Sequence, residues 1–263
     1  MSRKYRIFMT VACFAAVLLG IACRLSLNKV EYTFETDKID GTVKIAFLSD
    51  VHNSLYGENQ CELTEAIEEY GTDIVLFGGD LFDEFNDEEN SWALVDAMVT
   101  KYPCFYAVGN HEHNTGKVML YKKKMAERGV TVLNNSSEVI EINGQKIRIC
   151  GTENKFETEN AEPQNDGIYS VLLHHYPHDF PDLSQKGFDL ILAGHAHGGQ
   201  WRIPGLINGV YAPDQGLFPE YAGGLYSENG TDMAVSRGLW KHYDRIYIPR
   251  IFNRPELLLI TIN

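Results

Sequence analysis

Five short apolar segments of this sequence are each followed by residues that bind metal ions or take part in acid–base chemistry. The segments are five to seven residues long and rich in aliphatic and aromatic side chains, as buried strands are. In α/β proteins the ends of neighbouring strands meet at one edge of a sheet, so side chains placed there can converge. The pattern therefore predicts one shared site. The residues concerned are Asp50 and His52, Asp80, Asn110 and His111, His175, and His195 and His197.

The most distinctive of these positions is Gly194-His195-Ala196-His197-Gly198-Gly199-Gln200, which follows the apolar run at 188–193. Two histidines two residues apart on extended backbone point the same way, and the flanking glycines allow a tight turn. Imidazoles presented in this way suit transition metals. Taken alone, the segment is more simply a turn with two solvated histidines, and each of the other positions has an ordinary explanation too. Only the combination of five indicates a metal site.

The order of helical and strand patterns predicts the fold class. Strands alternate with helices early in the chain, and strands dominate after residue 130, with a hairpin signal at Asn143-Gly144. This order favours an α/β four-layer α-β-β-α sandwich, in which two packed mixed sheets are flanked by helices, over a doubly wound single sheet. We expect one domain at 43–263, preceded by a linker at 28–42.

The first 27 residues have the composition of a membrane segment. Arg3, Lys4 and Arg6 precede an uncharged run at 7–23, which as a helix is about 26 Å long and close to the thickness of a bilayer's hydrocarbon core. Basic residues before such a run favour a cytoplasmic N-terminus, which places the rest of the chain outside the cytoplasm. A cleaved signal peptide has the same composition. Because no clear cleavage motif precedes a polar start, we expect an uncleaved single-pass anchor in the cell membrane.

The overall charge excludes one class of partner. A formal net charge of −13 disfavours nucleic-acid binding, which requires a basic surface. A site that handles phosphate must then take its positive charge from local groups such as metal ions. The five cysteines include no C-x-x-C pair, so neither a zinc knuckle nor a disulfide framework is predicted.

The strand-end residues resemble the calcineurin-like metallophosphoesterase family, whose motifs are D-x-H, G-D, G-N-H-[ED], an isolated H and G-H-x-H in that order. The chain has all of them without substitution, as Asp50-Val51-His52, Gly79-Asp80, Gly109-Asn110-His111-Glu112, His175 and Gly194-His195-Ala196-His197. The G-H-x-H-G-G-Q form, a late Ser236-Arg237-Gly238 and the N-terminal segment are similar to a membrane-associated branch. That branch contains phosphoesterases of the UDP-2,3-diacylglucosamine pyrophosphatase and wall-associated types.

The resemblance implies two divalent metal ions that share one carboxylate, with a bridging hydroxide as the nucleophile. In such sites the ions lie roughly 3.5–4 Å apart. Mixed nitrogen and oxygen ligands fit Mn, Fe or Zn better than Ca, and they do not select among the three. The implied ligands are Asp50, His52, Asp80 and His197 for the first metal, and Asp80, Asn110, His175 and His195 for the second.

The resemblance also implies a catalytic role for His111, beside the shared carboxylate of Asp80. His111 follows a metal ligand and would stabilise charge on the phosphate or protonate the leaving group. Glu112 either orients His111 or is a surface carboxylate.

Two neighbouring positions leave alternatives. Asp83 either lies behind the ligands or belongs to a solvated acidic loop, and the loop is favoured. His175 is preferred over His174 as the ligand because it stands two residues before Pro177, as the family pattern requires.

The substrate side is expected in a loop at 201–226 that is rich in Gly, Pro and aromatic residues. Arg202, Tyr221 and Arg237 are candidates for holding phosphate or its substituent, although a structural salt bridge would also explain Arg237. The segment at 240–250 either lines a substrate groove, touches a membrane interface or simply packs against the domain.

These features predict a membrane-anchored phosphoesterase acting on phosphate ester or pyrophosphate bonds, with a phosphate-containing small molecule or a lipid-linked envelope phosphate as substrate. The alternative is a non-catalytic, membrane-tethered protein that binds metal or phosphate on the same scaffold. It predicts a missing ligand or a replaced His111, and neither is seen. A mononuclear iron oxygenase would leave Asp80 and Asn110 unexplained.

Overall fold

The computed structural model describes residues 3–85, 87–153, 163, 166–241 and 249–263. Its α-helices, in chain order, are α1 (Arg3–Ala22), α2 (Cys61–Tyr70), α3 (Glu89–Val99), α4 (Asn110–Asn114), α5 (Val118–Glu127) and α6 (Phe180–Leu183). Its strands are β1 (Asn28–Phe34), β2 (Val43–Leu48), β3 (Ile74–Phe77), β4 (Cys104–Tyr106), β5 (Thr131–Val132), β6 (Ser136–Ile142), β7 (Gln145–Gly151), β8 (Tyr169–Leu173), β9 (Leu190–Ala193), β10 (Tyr211–Ala212), β11 (Gly216–Leu217), β12 (Gly224–Glu228), β13 (Thr231–Val235) and β14 (Glu256–Ile262).

Two six-stranded mixed sheets pack face to face. The first has the order β1-β14-β2-β3-β4-β5, in which only β14 and β2 are antiparallel. The second has the order β12-β13-β9-β8-β7-β6, with one antiparallel pair at each edge. Helices α2, α3 and α5 cover the outer face of the first sheet, and α6 with the β10 segment covers the outer face of the second. The predicted four-layer sandwich is confirmed.

Alternation along the central strands produces these layers. In β2, Ile45 and Phe47 pack between the two sheets, whereas Ala46 and Leu48 pack against the helices. All four side chains are buried. Strands that are covered on both faces read as continuous apolar runs, which is why the sequence identifies them so readily.

The segment at 28–42, expected as a linker, contains β1 and is therefore part of the domain. Strand β1 runs parallel to β14 along its full length. Val30, Tyr32 and Phe34 face the cluster between the sheets, while Lys29 and Glu31 are exposed. This period-two pattern is that of an edge strand with one buried face. The loop expected at 201–226 likewise contains β10 and β11 and the start of β12.

Helix α1 is long and apolar enough to cross a membrane, and of its residues only Ala22, at its end, is buried against the rest of the described chain. Its 20 residues span about 30 Å, the thickness of the hydrocarbon core. Signal sequences share this length and composition. At its C-terminal end, the Phe252 backbone N–H donates to the Ala22 carbonyl at 2.6 Å. The helix therefore leaves the domain beside residue 252.

Candidate metal centre

The ends of β2, β3, β8 and β9 and the start of α4 bring most of the predicted ligands together. Among the described residues, three groups of side chains have possible ligand atoms within 4.8 Å of one another, and nearly all the residues in these groups are buried. These groups overlap at His52 and at Asp80, so they form one continuous site. They are Asp50, His52 and His197; His52, Asp80 and His111; and Asp80, His175 and His195.

Asp80 lies between the two halves of this site. Its Oδ2 is 3.1 Å from His175 Nε2 and 3.8 Å from His52 Nε2. The other carboxylate oxygen, Oδ1, accepts a hydrogen bond from the His111 backbone N–H at 2.8 Å. Oδ2 is thus the Asp80 atom that faces side chains from both halves, as a shared metal ligand requires.

Five of the seven predicted ligands have left-handed backbone conformations. Their φ angles lie between 46° and 65°, a region in which non-glycine residues are uncommon. Such conformations persist where the surrounding structure over-determines them, and they concentrate at functional sites. The residues are Asp50, His52, Asp80, His195 and His197.

Two glycines allow the strand ends to approach this closely. A Cβ on Gly109 would overlap the Asp80 carboxylate, and a Cβ on Gly194 would overlap the side chains of Ser49 and Asp50. Neither position has room for even a methyl group. Packing therefore requires the glycines of the G-N-H and G-H-x-H motifs.

Hydrogen bonds from neighbouring groups fix the orientation of several predicted ligands. Asp50 accepts from the His195 backbone N–H at 3.0 Å and from the Ser49 hydroxyl at 2.7 Å. His175 Nδ1 lies 2.8 Å from the Gly78 carbonyl, so Nδ1 is the protonated nitrogen and Nε2 is the one left to bind a metal. His174 lies elsewhere, between Thr152 and Asp179.

The remaining ligand atoms fit divalent metals. Asn110 Oδ1 is buried and has no hydrogen-bond partner among the described residues. A buried carbonyl oxygen without a donor is costly unless a cation or water satisfies it. Together with imidazole nitrogens and carboxylate oxygens, it makes the mixed donor set that Mn, Fe and Zn bind.

Burial controls the charge of most ligands. It raises the pKa of Asp50 to about 6, lowers the pKa of His52 to about 3 and lowers the pKa of His195 to about 4. It also holds the pKa of His197 well below its usual range. These three imidazoles are therefore neutral at physiological pH, which is the form that binds metals.

Asp80 and His175 behave differently because they face each other. Burial opposes the charge of both groups, but their mutual attraction outweighs it. The pKa of Asp80 is held well below its usual range, and the pKa of His175 rises to about 10. In the absence of metal the two side chains therefore form a buried ion pair.

His111 stands at the open side of the site. Its ring meets the His52 ring edge-on, with 4.6 Å between centroids, and its Nδ1 lies 3.2 Å from Glu84 Oε2. A quarter of its side chain is exposed, unlike the buried His52. With Nδ1 held by Glu84, Nε2 is the nitrogen available to a substrate.

Glu112 is buried and organises the backbone rather than orienting the His111 side chain. Its two carboxylate oxygens accept hydrogen bonds from the backbone N–H groups of Asp80, Leu81, Phe82 and Gly109, at 2.7–3.2 Å. The carboxylate therefore ties the G-D turn to the G-N-H turn. The surface position that the sequence left open for Glu112 is excluded.

The favoured interpretation of Asp83, a solvated loop residue, is corrected by the structure. Asp83 is buried, accepts a hydrogen bond from Asn53 Nδ2 at 2.9 Å, and places Oδ2 3.9 Å from His52 Nδ1. It therefore lies behind a predicted ligand. The acidic run around it suggested a solvated loop, but the neighbouring Asn53 draws this one carboxylate inward.

Three further residues among those described adjoin the site. They lie in the loop at 201–226 and the segment at 240–250, both considered for the substrate side, but the sequence does not single them out as individual residues. Asp214 Oδ2 lies 3.0 Å from His195 Nε2. The buried Arg250 places Nη2 3.5 Å from His197 Nδ1 and donates through Nη1 to the Arg237 carbonyl. The Trp240 ring lies 5.2 Å from the rings of both His52 and His197. Asp214 and Arg250 come from distant loops, and no local motif marks them.

The predicted substrate-binding side chains stand outside the three ligand groups. Arg237 forms an ion pair with the buried Glu256, and Arg202 Nε donates to the Asn208 carbonyl at 3.0 Å. Tyr221 packs against Phe180 on the outer face of the second sheet, with 5.8 Å between ring centroids. Within the segment at 240–250, residues 242–248 lie outside the described residues.

The family model and two similar proteins found by comparison with known sequences are all phosphoesterases. Residues 43–199 match the family described as calcineurin-like phosphoesterase. The chain is 28% identical over 264 residues to the uncharacterized metallophosphoesterase YkuE of Bacillus subtilis, covering 92% of this chain and 89% of that protein. It is also 28% identical over 228 residues to the phosphodiesterase YaeI of Escherichia coli, covering 83% of this chain and 82% of that protein.

Two solved structures give partial matches. A 5′-nucleotidase precursor from Thermus thermophilus matches with a TM-score of 0.49 at 17% identity, over 76% of this chain and about half (49%) of that chain. A phosphopantetheinyl hydrolase from Mycobacterium tuberculosis matches with a TM-score of 0.46 at 12% identity, over 81% of this chain and 96% of that chain.

Proposed function

We propose that this chain, which belongs to the calcineurin-like phosphoesterase family and is a phosphoester hydrolase, is anchored in the membrane and uses two divalent metal ions. Its proposed substrates are envelope phosphates or lipid-linked phosphates. The bond cleaved is a phosphate ester or a pyrophosphate. The observation that carries the two-metal proposal is the position of Asp80 Oδ2, which faces His175 in one half of the site and His52 in the other.

Each metal would have four protein ligands. When bound, the two ions would polarise the phosphoryl group and lower the pKa of a water molecule. The chain's own residues fix the ligand geometry through the backbone bonds to Asp50, Asp80 and His175. The ligands are Asp50, His52, Asp80 and His197 for the first metal, and Asp80, Asn110, His175 and His195 for the second.

His111 supplies the remaining chemistry at the reacting phosphate. Its Nδ1 faces Glu84 Oε2, so Nε2 is directed to donate a hydrogen bond or a proton to the phosphate or the leaving group. Arg237, Arg202 and Tyr221 are proposed to position the rest of the substrate. Arg237 would do so from its ion pair with Glu256, which fixes the guanidinium.

The membrane part of the proposal rests on α1 and on the three basic residues at its start, Arg3, Lys4 and Arg6. Their position favours a cytoplasmic N-terminus and an external catalytic domain. Protease treatment of intact cells tests this orientation. Digestion of the domain without lysis supports it, and protection of the domain until lysis contradicts it.

Hydrolysis assays on the full-length chain test the enzymatic proposal. The detergent-purified protein with Mn²⁺ should hydrolyse p-nitrophenyl phosphate or its bis-ester, and Asp80→Asn should reduce the rate to background. Asp182→Asn, which changes an exposed carboxylate, is the matched control. Wild-type protein that binds about two metals and hydrolyses neither compound would contradict the proposal.

A further inference from the structure

Three features of the molecule meet at residues 250–253. Asn253 Nδ2 donates to the backbone carbonyls of His197 and Gln200, at 2.7 and 3.1 Å, beside the metal centre. The Phe252 N–H binds the end of α1 at the Ala22 carbonyl. Ile251 pairs with Trp201 through a parallel bridge, in which the Arg202 N–H donates to the Ile251 carbonyl at 2.9 Å. The anchor, the site and the segment that begins at Trp201 are therefore neighbours.

The segment at 201–218 exposes an unusual amount of apolar surface. Leu206, Leu217 and Phe218 are 79%, 70% and 67% exposed, and Trp201 and Tyr211 are each more than 40% exposed. Scattered exposed apolar residues are ordinary, but a concentration of this kind marks a surface that binds protein or membrane. We call this segment the apolar lip.

An apolar cleft opens in the lip beside the metal ligands. It has a volume of about 320 Å³ and is lined by Gly199, Gln200 and the side chains of Trp201, Tyr211 and Leu217. Val210 completes it and binds the Gly199 carbonyl through its backbone N–H at 2.9 Å. Gly199 is two residues from His197 in the chain, so the cleft adjoins the proposed metal site. Its size lies at the lower end of the range of ligand pockets.

We propose that the apolar lip inserts into the bilayer at its interface and that the cleft receives a hydrocarbon chain of an amphiphilic phosphoester. This inference rests on the membrane anchoring under the proposed function and extends it to the substrate class. The start of the lip pairs with Ile251, and the next residue, Phe252, binds the end of α1. A domain that is anchored by α1 therefore holds the lip near the bilayer. Arg24, exposed just after α1, and the partly exposed Arg254 provide the basic groups that collect at such interfaces beside aromatic residues.

Tryptophan fluorescence tests the insertion directly in the full-length protein. The chain has three tryptophans, and the structure buries Trp92 while exposing Trp201. In phosphatidylcholine–phosphatidylglycerol vesicles, lipids brominated near the carbonyl end of the acyl chain should quench the emission. Trp201→Phe should remove most of this quenching, and Trp92→Phe should leave it unchanged. Equal quenching in wild type and in Trp201→Phe overturns the inference. A stable dimer in which Trp201 is not quenched also overturns it, because a second copy of the chain would then cover the lip.

A kinetic test separates this inference from the proposed function. Leu206→Asp should raise KM for an amphiphilic phosphoester in mixed micelles on the order of ten-fold. A leucine side chain that becomes buried in the micelle contributes at least that much in affinity. It should not change hydrolysis of the soluble bis-p-nitrophenyl ester. Met119→Asp, on the exposed face of α5, should change neither. If wild type hydrolyses neither p-nitrophenyl phosphate nor its bis-ester, the proposed function fails; if it hydrolyses one of them and Leu206→Asp affects neither that ester nor the amphiphilic substrate, only the lip proposal fails.

Discussion

His195 Nε2 lies 3.0 Å from the Asp214 carboxylate, which belongs to a loop 19 residues further along the chain. An imidazole with one nitrogen held by a carboxylate has a fixed tautomer and ring orientation, and its other nitrogen becomes a better metal ligand. Here Nε2 is held, so His195 is left to bind a metal through Nδ1. The geometry thus connects the apolar lip, which contains Asp214, with the proposed second metal.

Asp214→Asn should weaken metal binding in the second half of the site. The loss of a carboxylate behind a ligating histidine typically reduces metal affinity or activity by about 10–100-fold. Metal titration followed by calorimetry should show one site weakened, and added Mn²⁺ should recover part of kcat without a change in KM. Asp182→Asn serves as the control. If both sites bind as in wild type, Asp214 does not position His195.

His111→Gln should lower kcat and leave the metal content unchanged. General acid or charge-stabilising side chains typically contribute about 10²–10⁴-fold in rate, and His111 lies beside the ligands without belonging to the proposed set. Rates should be compared for the p-nitrophenyl ester and for a substrate with a poorer leaving group. Hydrolysis of the second substrate depends more on protonation of the leaving-group oxygen. His113→Gln changes an exposed histidine two residues away and should be silent. An unchanged kcat on both substrates would remove His111 from the mechanism.

Metal binding should release protons at neutral pH, and His175 should be their source. The facing Asp80 carboxylate overcomes burial and raises the pKa of His175 to about 10, whereas burial lowers the pKa values of His52 and His195 to about 3 and 4. A metal must displace the His175 proton but meets the other two imidazoles already neutral. Between about pH 6, above which Asp50 has lost its proton, and pH 10, the apparent affinity should therefore rise with pH by up to about one log unit per pH unit. Calorimetry in buffers of different ionisation enthalpy measures the released protons, and a pH-independent affinity would contradict the assignment.

The fold and the convergence of the proposed ligands could be predicted from the sequence because their signals are local. Strands such as β2, covered on both faces, are continuous apolar runs, and the ligands follow them directly in short motifs. Strand β1 gave a weaker signal because Lys29 and Glu31 alternate with its buried side chains. It was expected as part of a linker, although its pairing with β14 makes it part of the first sheet.

The residues behind the proposed ligands could not be predicted because their contacts are not local in the sequence. Asp214 and Arg250 reach the site through loops whose positions depend on the finished fold, and their spacing from His195 and His197 follows no motif. Glu112 was noticed beside His111, but its contacts are with the backbone of a turn 30 residues earlier. A sequence pattern shows which side chains are near in the chain and does not show which turns they will join.

Arg237→Gln should destabilise the protein because it leaves the Glu256 carboxylate buried without its partner. Breaking a buried ion pair by removing one member typically costs about 3–5 kcal/mol of unfolding free energy. Arg237→Gln combined with Glu256→Gln should recover most of that loss. If Arg237 also holds the substrate, the double variant should keep a KM raised roughly ten-fold, which is about 1.4 kcal/mol of binding. A KM equal to wild type in the stable double variant would make Arg237 purely structural.

Glu112→Gln should separate the two turns that hold Asp80 and Asn110. Each carboxylate oxygen of Glu112 accepts two backbone N–H groups, and an amide nitrogen in place of one oxygen would leave two buried donors without an acceptor. Each unsatisfied buried donor costs about 1–3 kcal/mol, and for a chain of this size each kcal/mol lowers Tm by about 2–4 °C. The melting temperature and the metal content should fall together, because the displaced Asp80 serves both halves of the site. Glu138→Gln, on the exposed face of β6, should alter neither quantity. A Glu112→Gln protein with wild-type Tm and full metal content would show that the turns are held by their own packing.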